Sequence, residues 1–348
     1  MSSILIPHTQ MHVCFVQVLL QLGFTAERAE QCAAVFVQNS VDGVYSHGVN
    51  RFPRFVRYVN EGIVKVNAVP ELRAAFGAME QWDGQLGPGP LNAMHATESA
   101  MRLASLHGIG CVAMANTNHW MRAGHYGWQT AKKGFVFIGW SNTIANMPAW
   151  GAVDARLGNN PLVMALPYRD EAIVLDMAMS QFSMGAMEMA RIKGEKMPVN
   201  AGFDQSGKLT DDPEAVMASR RLIPVGYWKG SGLALLLDLL AAILSGGQAT
   251  HQIGRNGIEF GVSQVFIAID LSKLPDHSLV AQTVEAIIND YHASIAATDL
   301  QQITYPGERV MRSRVRNNRD GIPVQQQVWD TILQLQADSG NTAHIPLL

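Results

Sequence analysis

The sequence predicts a mixed α/β (α+β) fold, in which a mixed β-sheet is flanked by helices and preceded by an N-terminal helical part. Helical periodicity fills the first 60 residues, whereas short strand-like apolar stretches appear only later. A doubly wound parallel sheet requires strands and helices that alternate regularly. The later strands and helices of this chain do not alternate in that way. The GxGxxG fingerprint of dinucleotide-binding folds is also missing, because its nearest counterpart, residues 84–89, has the wrong spacing and contains a proline.

Three helices are expected at the N-terminus. The apolar stretch 11–22 predicts the first helix, which ends before Gly23. Thr25 is placed to cap the second helix, and a third short helix is expected after Asn50. These helices are too few to enclose a large core, so they must pack on a later part of the chain. The second helix has an apolar face at helical spacing, formed by Ala29, Cys32, Ala33 and Phe36.

The rest of the chain mixes strands, helices and one polar excursion. Residues 84–89 read as a loop that leads into a helix near Leu91, and residues 203–215 are polar and turn-rich. The apolar run 233–244 predicts a buried helix that the pair Gly246 and Gly247 ends. The other expected elements are helices over 91–106, 279–297 and 324–335, and strands over 108–115, 135–140, 162–166, 172–177 and 265–271.

Composition excludes several classes of protein. Only 16% of the 348 residues are charged, against roughly 25% in an average globular chain. A chain this apolar can bury enough surface to fold. Its net charge of −3 gives no basic surface for a nucleic acid. Its three cysteines lie far apart, which excludes a disulfide framework and fits a reducing compartment.

The sequence also bears on membranes and targeting. No Lys or Arg precedes Arg28, so a secretory signal is not expected. The apolar run 233–244 contains Asp238 and is shorter than the about 20 residues that cross a bilayer. We therefore expect a soluble, cytoplasmic protein with no membrane partner. Its low charge leaves open what covers its surface.

One glycine-rich stretch has the pattern of an anion site. Residues 226–232, GYWKGSG, lead into the helix expected from Leu233. A helix N-terminus offers free N–H groups and a partial positive charge, and Lys229 and Ser231 would add a cation and a donor. The stretch does not match the Walker A pattern. An ordinary glycine loop with a serine cap remains the alternative interpretation.

Three polar segments could carry chemistry. His47 and Arg51 follow the second helix, and a histidine that titrates near neutral pH beside an arginine suits the reduction of a 2-oxo acid. His119 follows a strand, and Asp176 ends another, where it is placed to pair with a histidine. A surface histidine, a salt-bridged arginine and turn residues are the alternatives. Neither HExxH nor a zinc-like spacing occurs, so no metal is expected.

Six motifs follow one another along nearly the whole chain. They are YSHGVNRF at 45–52, NTNHW at 116–120, GNNPL at 158–162, LDMAMS at 175–180, GYWKGSGLAL at 226–235 and YPGE at 305–308. In this order they resemble the malate/L-lactate dehydrogenase family of non-Rossmann, sulfolactate dehydrogenase-like oxidoreductases.

The resemblance implies an architecture and a reaction. It implies an interlocked homodimer, in which residues 1–70 and about 275–348 form a helical, dimer-associated part and residues 71–274 a sheet that binds cofactor and substrate. It also implies NAD(P)H-dependent reduction of a 2-oxo acid. The motifs are nearest to a branch that converts 2,3-diketo-L-gulonate to 3-keto-L-gulonate, a step in carbohydrate catabolism. NADH is the expected cofactor, with NADPH as the alternative.

Residue roles follow from the same resemblance. His47 corresponds to the proton donor, Asp176 to the aspartate that pairs with it, and Ser46 to the adjacent serine. Arg51 and His119 correspond to residues near the substrate carboxylate and carbonyl. The expected cofactor contacts are Ala172, Ile173, Val174, Leu175, Asp176, Met177, Ala178, Trp228, Lys229, Gly307, Glu308 and Arg309.

Two departures and two alternatives accompany this assignment. Ala178 stands where close relatives have a serine, so a side-chain hydrogen bond is lost, and Arg309 is at a variable position that could shift the choice between NADH and NADPH. Another substrate of the same family, such as malate, L-lactate or a cyclic imino acid, is the first alternative function. A non-enzymatic anion- or nucleotide-binding protein that uses only residues 226–232 is the second.

Overall fold

The structure, a computed structural model, describes residues 3–255, 257–298 and 302–337. Its helices are α1 His8–Gln21, α2 Ala26–Val41, α3 Phe52–Asn60, α4 Gly89–His107, α5 Gly124–Lys132, α6 Met184–Lys193, α7 Pro213–Ser219, α8 Trp228–Ser245, α9 His277–His292, α10 Glu308–Asp320 and α11 Gln326–Ala337. Its strands are β1 Ser3–Ile6, β2 Glu71–Phe76, β3 Met79–Asp83, β4 Ile109–Thr117, β5 Phe135–Ser141, β6 Ala145–Pro148, β7 Ala155–Gly158, β8 Leu162–Tyr168, β9 Glu171–Met177, β10 Gly202–Phe203, β11 Leu209–Thr210, β12 Val262–Asp270 and β13 Ile322–Gln325.

A seven-stranded mixed sheet with the order β2-β3-β4-β12-β5-β8-β9 forms the centre of the fold. Only β3 and β4 pair in parallel, and every other neighbouring pair is antiparallel. This alternation makes β3, β4, β5 and β9 run in the same direction. Their carboxyl ends therefore meet at one edge of the sheet, which confirms the mixed sheet and determines where the site forms.

Helices cover both faces of this sheet. Side chains alternate along a strand, so Val112 and Met114 of β4 point toward α4 and α5, whereas Ala113 points toward α8. The alanine-rich side of α4 lies against the strands so closely that a Cβ at Gly110 would meet the Ala100 carbonyl oxygen at 2.1 Å. The two faces thus form two separate apolar cores.

A third core holds the N-terminal helices together. Phe15 of α1 stacks on Phe52 of α3 with ring centroids 3.9 Å apart, and Phe36 of α2 meets Phe52 edge-on at 5.3 Å. Thr25 caps α2 as expected, by accepting a hydrogen bond from the Arg28 N–H at 3.4 Å. The C-terminal α11 completes this core, because Trp329 is 3% exposed within it.

The chain ends fold differently from the sequence prediction. The helix expected over 324–335 begins at Gln326, because Val324 pairs with Ile4 between the strands β13 and β1. Neither strand was predicted, since each has only four residues and no clear alternation. The division into a part formed by 1–70 with 275–348 and a part formed by 71–274 remains a prediction, and residues 338–348 lie outside the described residues.

The helix predicted over 233–244 differs from the prediction in both its start and its burial. It belongs to a longer helix, α8, which begins at Trp228 and is not buried on all sides. Packing on the sheet uses one face only, so a stripe of large apolar side chains points outward. The outward side chains, 38–69% exposed, are Leu233, Leu235, Leu236, Leu239, Leu240 and Ile243.

Among the described residues, α8 alone has the length and apolar composition that a membrane span requires, with a mean hydropathy of 1.4 over 18 residues. The apolar run that starts at Leu233 is too short to cross a membrane, but the 18-residue helix that contains it is long enough. Its inner face is held by specific polar contacts: Asp238 Oδ1 accepts hydrogen bonds from Asn142 Nδ2 at 2.9 Å and from the Thr250 N–H at 2.8 Å. These contacts attach α8 to loops at the edge of the sheet.

Candidate active site

Three of the sequence-predicted site residues lie on segments that meet at the carboxyl edge of the sheet. His119 follows β4, Asp176 is the next-to-last residue of β9, and His47 lies in a short helical turn between α2 and α3. That turn runs tightly against α2, because a Cβ at Gly48 would lie 2.2 Å from Ser40 Oγ. Glycine is therefore required after His47.

Ser46 orients His47. Its Oγ lies 3.0 Å from His47 Nδ1, so one nitrogen of the imidazole is occupied by a hydroxyl group. The backbone is fixed as well, since the His47 carbonyl accepts a hydrogen bond from Asn39 Nδ2 at 3.0 Å. His47 Nε2 is therefore the nitrogen left to face a substrate.

His119 lies beside His47, with ring centroids 5.7 Å apart and planes 22° from parallel. Its Nδ1 accepts a hydrogen bond from the Met121 N–H at 3.0 Å. A neutral imidazole that accepts at Nδ1 carries its hydrogen on Nε2. His119 can therefore donate a hydrogen bond from Nε2, which suits the oxygen of a carbonyl group.

Burial and neighbouring cations favour the neutral form of both histidines. Burial, followed by the charges of Arg51 and Arg122, lowers the pKa of His47 to about 4. Burial, Arg51, His47 and Arg54 hold the pKa of His119 well below its usual value. Desolvation and neighbouring cations both disfavour the charged imidazole. The site is electropositive and would favour an anion.

Arg51 is the strongest candidate for binding that anion. It is half-buried, and burial and the neighbouring Arg54 lower its pKa. Glu259 acts in the opposite direction on that pKa, but in the part of the chain that the structure describes no carboxylate forms an ion pair with Arg51. A half-buried guanidinium without a paired carboxylate is suited to bidentate binding of a substrate carboxylate.

Asp176 does not make the predicted pair with His47. Its Oδ2 accepts a hydrogen bond from the Gly124 N–H at 2.9 Å and lies 3.5 Å from Arg122 Nε. The expected contact between Asp176 and His47 is therefore replaced by one between Asp176 and Arg122, whereas a charged His47 during catalysis stays a prediction. The reason is that Arg122, two residues from Gly124, brings a permanent positive charge to the carboxylate.

The predicted cofactor residues of two segments meet along β9. The N–H of Val174 donates to the Pro306 carbonyl at 3.0 Å, which places the loop before α10 against the strand. A Cβ at Gly307 would lie 3.2 Å from both Val174 N and Trp128 Cζ2, so this loop needs glycine for packing. The segments 172–178 and 307–309 are thus in contact. The side chains of Ala172 and Val174 are buried, at 0% and 4% exposed, and are not available to a cofactor.

The third predicted cofactor segment lies at the far end of the same strand. Beyond β9, the Val225 N–H donates to the Met179 carbonyl at 2.8 Å, and α8 begins three residues later. Trp228 and Lys229 lie in its first turn and are exposed.

The expected helix start at Leu233 is wrong, because α8 begins at Trp228. Ser231 does not cap the helix: inside the first turn, its Oγ accepts a hydrogen bond from the Trp150 N–H at 3.0 Å.

These residues fit a dinucleotide. Two helices, α8 and α10, begin beside β9, and each has an exposed cation in its first turn, Lys229 and Arg309. Helix N-termini with added cations suit phosphate groups. Glu308 is already engaged, because it binds Arg312 and lies 3.1 Å from His292 Nε2. Its carboxylate therefore belongs to the wall of the site.

Two charged residues near the site were missed at the sequence level. Arg122 and Asp42 were not assigned a role. Asp42 is 2% exposed and binds Arg122 Nη1 at 2.5 Å. The only signal in the sequence was Asp42 at the end of an apolar helix, and an acid in that position by itself indicates only that the helix ends there. Within the described ranges, no group of three or more His, Cys, Asp or Glu residues could hold a metal ion.

Comparison with known proteins identifies the family of this chain. The sequence model of the family described as malate/L-lactate dehydrogenase matches residues 6–333. The chain belongs to the malate/L-lactate dehydrogenase family. It is 44% identical over 328 residues to the 2,3-diketo-L-gulonate reductase of Klebsiella pneumoniae (strain 342), an alignment that covers 94% of this chain and 98% of the relative.

Solved structures extend the family likeness to the fold. Sulfolactate dehydrogenase from Methanocaldococcus jannaschii superposes with a TM-score of 0.90 at 26% identity, over 97% of this chain and 98% of that one. The delta1-piperideine-2-carboxylate reductase of Pseudomonas syringae superposes with a TM-score of 0.84 at 25% identity, over 95% and 99%. The chain is thus a dehydrogenase-family oxidoreductase, and the family indicates a nicotinamide nucleotide cofactor. This confirms the resemblance inferred from the motifs.

Proposed function

We propose that this protein reduces 2,3-diketo-L-gulonate to 3-keto-L-gulonate with NADH, as part of the breakdown of sugar acids. One observation carries the proposal: two facing neutral histidines lie beside Arg51, which no carboxylate pairs within the described residues. That set matches a 2-oxo acid, which offers one carboxylate and one carbonyl oxygen. The relatives named 2,3-diketo-L-gulonate reductase, at 44% identity, support this choice of substrate.

The residues would act in distinct roles. Arg51 would bind the carboxylate, and His119 would donate from Nε2 to the carbonyl oxygen. The nicotinamide would supply the hydride to the 2-keto carbon when it is bound along β9. His47, with Nδ1 on Ser46, would deliver a proton from Nε2 to the oxygen as negative charge develops there.

Substrate binding would allow His47 to take up from solvent the proton that it donates. The charge of Arg51 lowers the pKa of His47. A bound carboxylate neutralises that charge, so the pKa of His47 rises toward its usual range and the imidazole takes up a proton. The donor would therefore be loaded when its own substrate binds.

A substrate panel tests the proposal. The purified protein is mixed with NADH and, in parallel, with 2,3-diketo-L-gulonate, pyruvate, oxaloacetate and a cyclic imino acid, and the fall in NADH absorbance is followed. The highest kcat/KM is expected for 2,3-diketo-L-gulonate. A higher value for another acid would establish the alternative substrate. Binding of NADH without turnover of any of them would favour a non-enzymatic nucleotide-binding protein.

The cofactor preference is a separate proposal. The carboxylate of Glu308, at the start of α10, would repel the additional phosphate of NADPH, whereas the neighbouring Arg309 would attract it. Because Glu308 is half-buried and Arg309 is exposed, we expect NADH to be preferred. The ratio of kcat/KM for the two cofactors measures this, and Arg309→Gln should increase the preference for NADH.

We further propose that the protein is a cytoplasmic homodimer. The apolar stripe of α8, from Leu233 to Ile243, is up to 69% exposed in the single chain. Exposed apolar patches of this kind mark interaction surfaces. A second copy would cover the stripe and would account for the small number of charges in the sequence.

A further inference from the structure

A cluster of ionic side chains is buried beneath the candidate site, where α2, α10 and the segment after β4 meet. Asp42 lies at its centre and is 2% exposed. It binds Arg122 Nη1 at 2.5 Å, Arg314 Nε at 2.8 Å and Gln38 Nε2 at 2.7 Å. Buried charges of this kind are costly unless they are paired and hydrogen-bonded. Asp42 therefore has the partners that a buried carboxylate requires.

The two arginines of this cluster extend in different directions. Arg314 continues to Glu171 Oε2 at 3.0 Å, away from the histidines. Arg122, which is 5% exposed, turns its Nε toward Asp176 Oδ2 at 3.5 Å. Its fixed guanidinium thus spans a buried carboxylate on one side and a site carboxylate on the other.

We propose that Arg122 is a positioning residue of the active site, held by Asp42, which fixes the Asp176 carboxylate on β9 and keeps a positive charge close to His47. The inference rests on the proposed reductase function and assigns a role in it to the buried residues Arg122 and Asp42. A lysine could not replace it, because only the planar fork of arginine can bind two carboxylates through different nitrogens.

The groups that face His47 are consistent with this role. They are Ser46 on Nδ1, the stacked ring of His119, and the cations Arg51 and Arg122. Arg51 is the one that a substrate carboxylate would neutralise. Arg122 is already paired with Asp42, so its contribution stays constant while the substrate binds and leaves. Its charge therefore adds a constant contribution, after burial and Arg51, to the lowered pKa of His47.

A titration that needs no turnover tests the electrostatic part. The imidazole C–H resonances of the ligand-free protein are followed by NMR against pH, and His47 is assigned from the spectrum of His47→Asn. In the wild type, His47 should titrate near pH 4. Arg122→Met should raise that value, because one of the two cations that lower it is removed, whereas Arg122→Lys should leave it close to the wild type. An unchanged value in Arg122→Met would overturn the proposal.

Kinetics test the positioning part. Arg122→Lys retains the charge but loses the fork, so kcat should fall on the order of tenfold while KM for the keto acid stays the same, since Arg51 holds the carboxylate. Asp176→Asn added to Arg122→Lys should cause little further loss, because both changes remove one contact. Additive losses, or a wild-type kcat in Arg122→Lys, would contradict a role through Asp176.

Arg314→Lys is the matched control. It disturbs the same buried Asp42 but has no contact with Asp176. We expect a lower melting temperature with kcat within about twofold of the wild type. An equal loss of kcat in Arg314→Lys and Arg122→Lys would mean that the cluster serves folding alone. If the wild type reduces no keto acid, the proposed function fails, and the His47 titration still decides the electrostatic part of the inference.

Discussion

At the residue scale, the site is a set of cations and neutral imidazoles that lacks an anion. Arg51 has no paired carboxylate among the described residues, and His47 and His119 are kept neutral by burial and by neighbouring positive charge. The only carboxylate of the predicted catalytic set, Asp176, is held by Arg122 and the Gly124 N–H. The site therefore favours an anionic substrate, and His47 would take up its catalytic proton from solvent when that anion binds.

Replacement of His47 tests the proton donor. His47→Asn should lower kcat by roughly 10²–10⁴-fold, the usual contribution of general acid catalysis. The dissociation constant for NADH, measured by fluorescence titration, should change little, because the cofactor residues lie along β9. His107→Asn, at the exposed end of α4, removes a histidine far from the site and should keep full activity. A kcat close to wild type in His47→Asn would disprove the assignment.

The pH dependence of substrate binding follows from the lowered pKa of His47. The free site is neutral at His47 above about pH 4. A bound carboxylate raises this pKa, so binding takes up a proton and is strongest at low pH. KM for a keto acid should therefore increase as the pH is raised from about 4 to about 6.5, the usual pKa of a histidine, and level off above it. The methyl ester of the same keto acid has no charge to offer, and its KM should not follow this trend.

At the element scale, close approaches at glycine hold the elements of the site together. The first turn of α8 depends on Gly230, where a Cβ would lie 2.1 Å from the Val225 carbonyl oxygen. The same turn contains Gly232, where a Cβ would meet nothing within 4 Å. Two glycines two residues apart therefore have opposite requirements, which the sequence GYWKGSG does not reveal.

This pair gives a matched test of the cofactor segment. Gly230→Ala should displace the start of α8, weaken NADH binding and lower the melting temperature. Gly232→Ala should be neutral, or stabilising by roughly 0.5–1 kcal/mol, because alanine is the better helix former. Thermal unfolding and NADH titration of both variants check this. Equal behaviour of the two would contradict the close approach at Gly230.

At the scale of the whole molecule, the exposed stripe of α8 is the feature that a single chain does not explain. Leu236 and Leu240 lie one turn apart on it and are 55% and 44% exposed. The opposite face of the helix packs on the sheet and binds loops through Asp238. A helix attached in this way on one side presents its other side to a partner.

Light scattering tests the dimer. At micromolar concentration, the wild type should have about twice the mass of the chain, and Leu240→Glu should dissociate it, because a charge cannot be buried unpaired in an apolar interface. Leu106→Glu is the control, since Leu106 is 68% exposed at the end of α4 and lies outside the stripe. A monomeric wild type would contradict the homodimer and leave the apolar stripe without a partner.

The sequence predicted local structure well where the signal was local. The caps, the glycine that ends α1 and the apolar periodicity of α2 placed the N-terminal helices correctly. The strands β4, β5, β8, β9 and β12 were located because each is a short apolar run between turns. Strands β1 and β13 were missed because four residues carry no measurable alternation. The six motifs identified the family, which the comparison confirmed.

The sequence alone determined which residues take part, namely the histidines and Arg51. It also determined that the Rossmann fingerprint is absent and that the chain belongs to the family. Only the tertiary structure decided how they pair. Asp176 was expected to bind His47, yet it binds Arg122, because Asp42, 80 residues earlier in the chain, anchors that arginine. Likewise, the sequence of α8 predicts a buried helix, but in the structure the sheet covers only one face of that helix. Pairing and burial depend on contacts between distant segments, and a one-dimensional pattern does not contain those contacts.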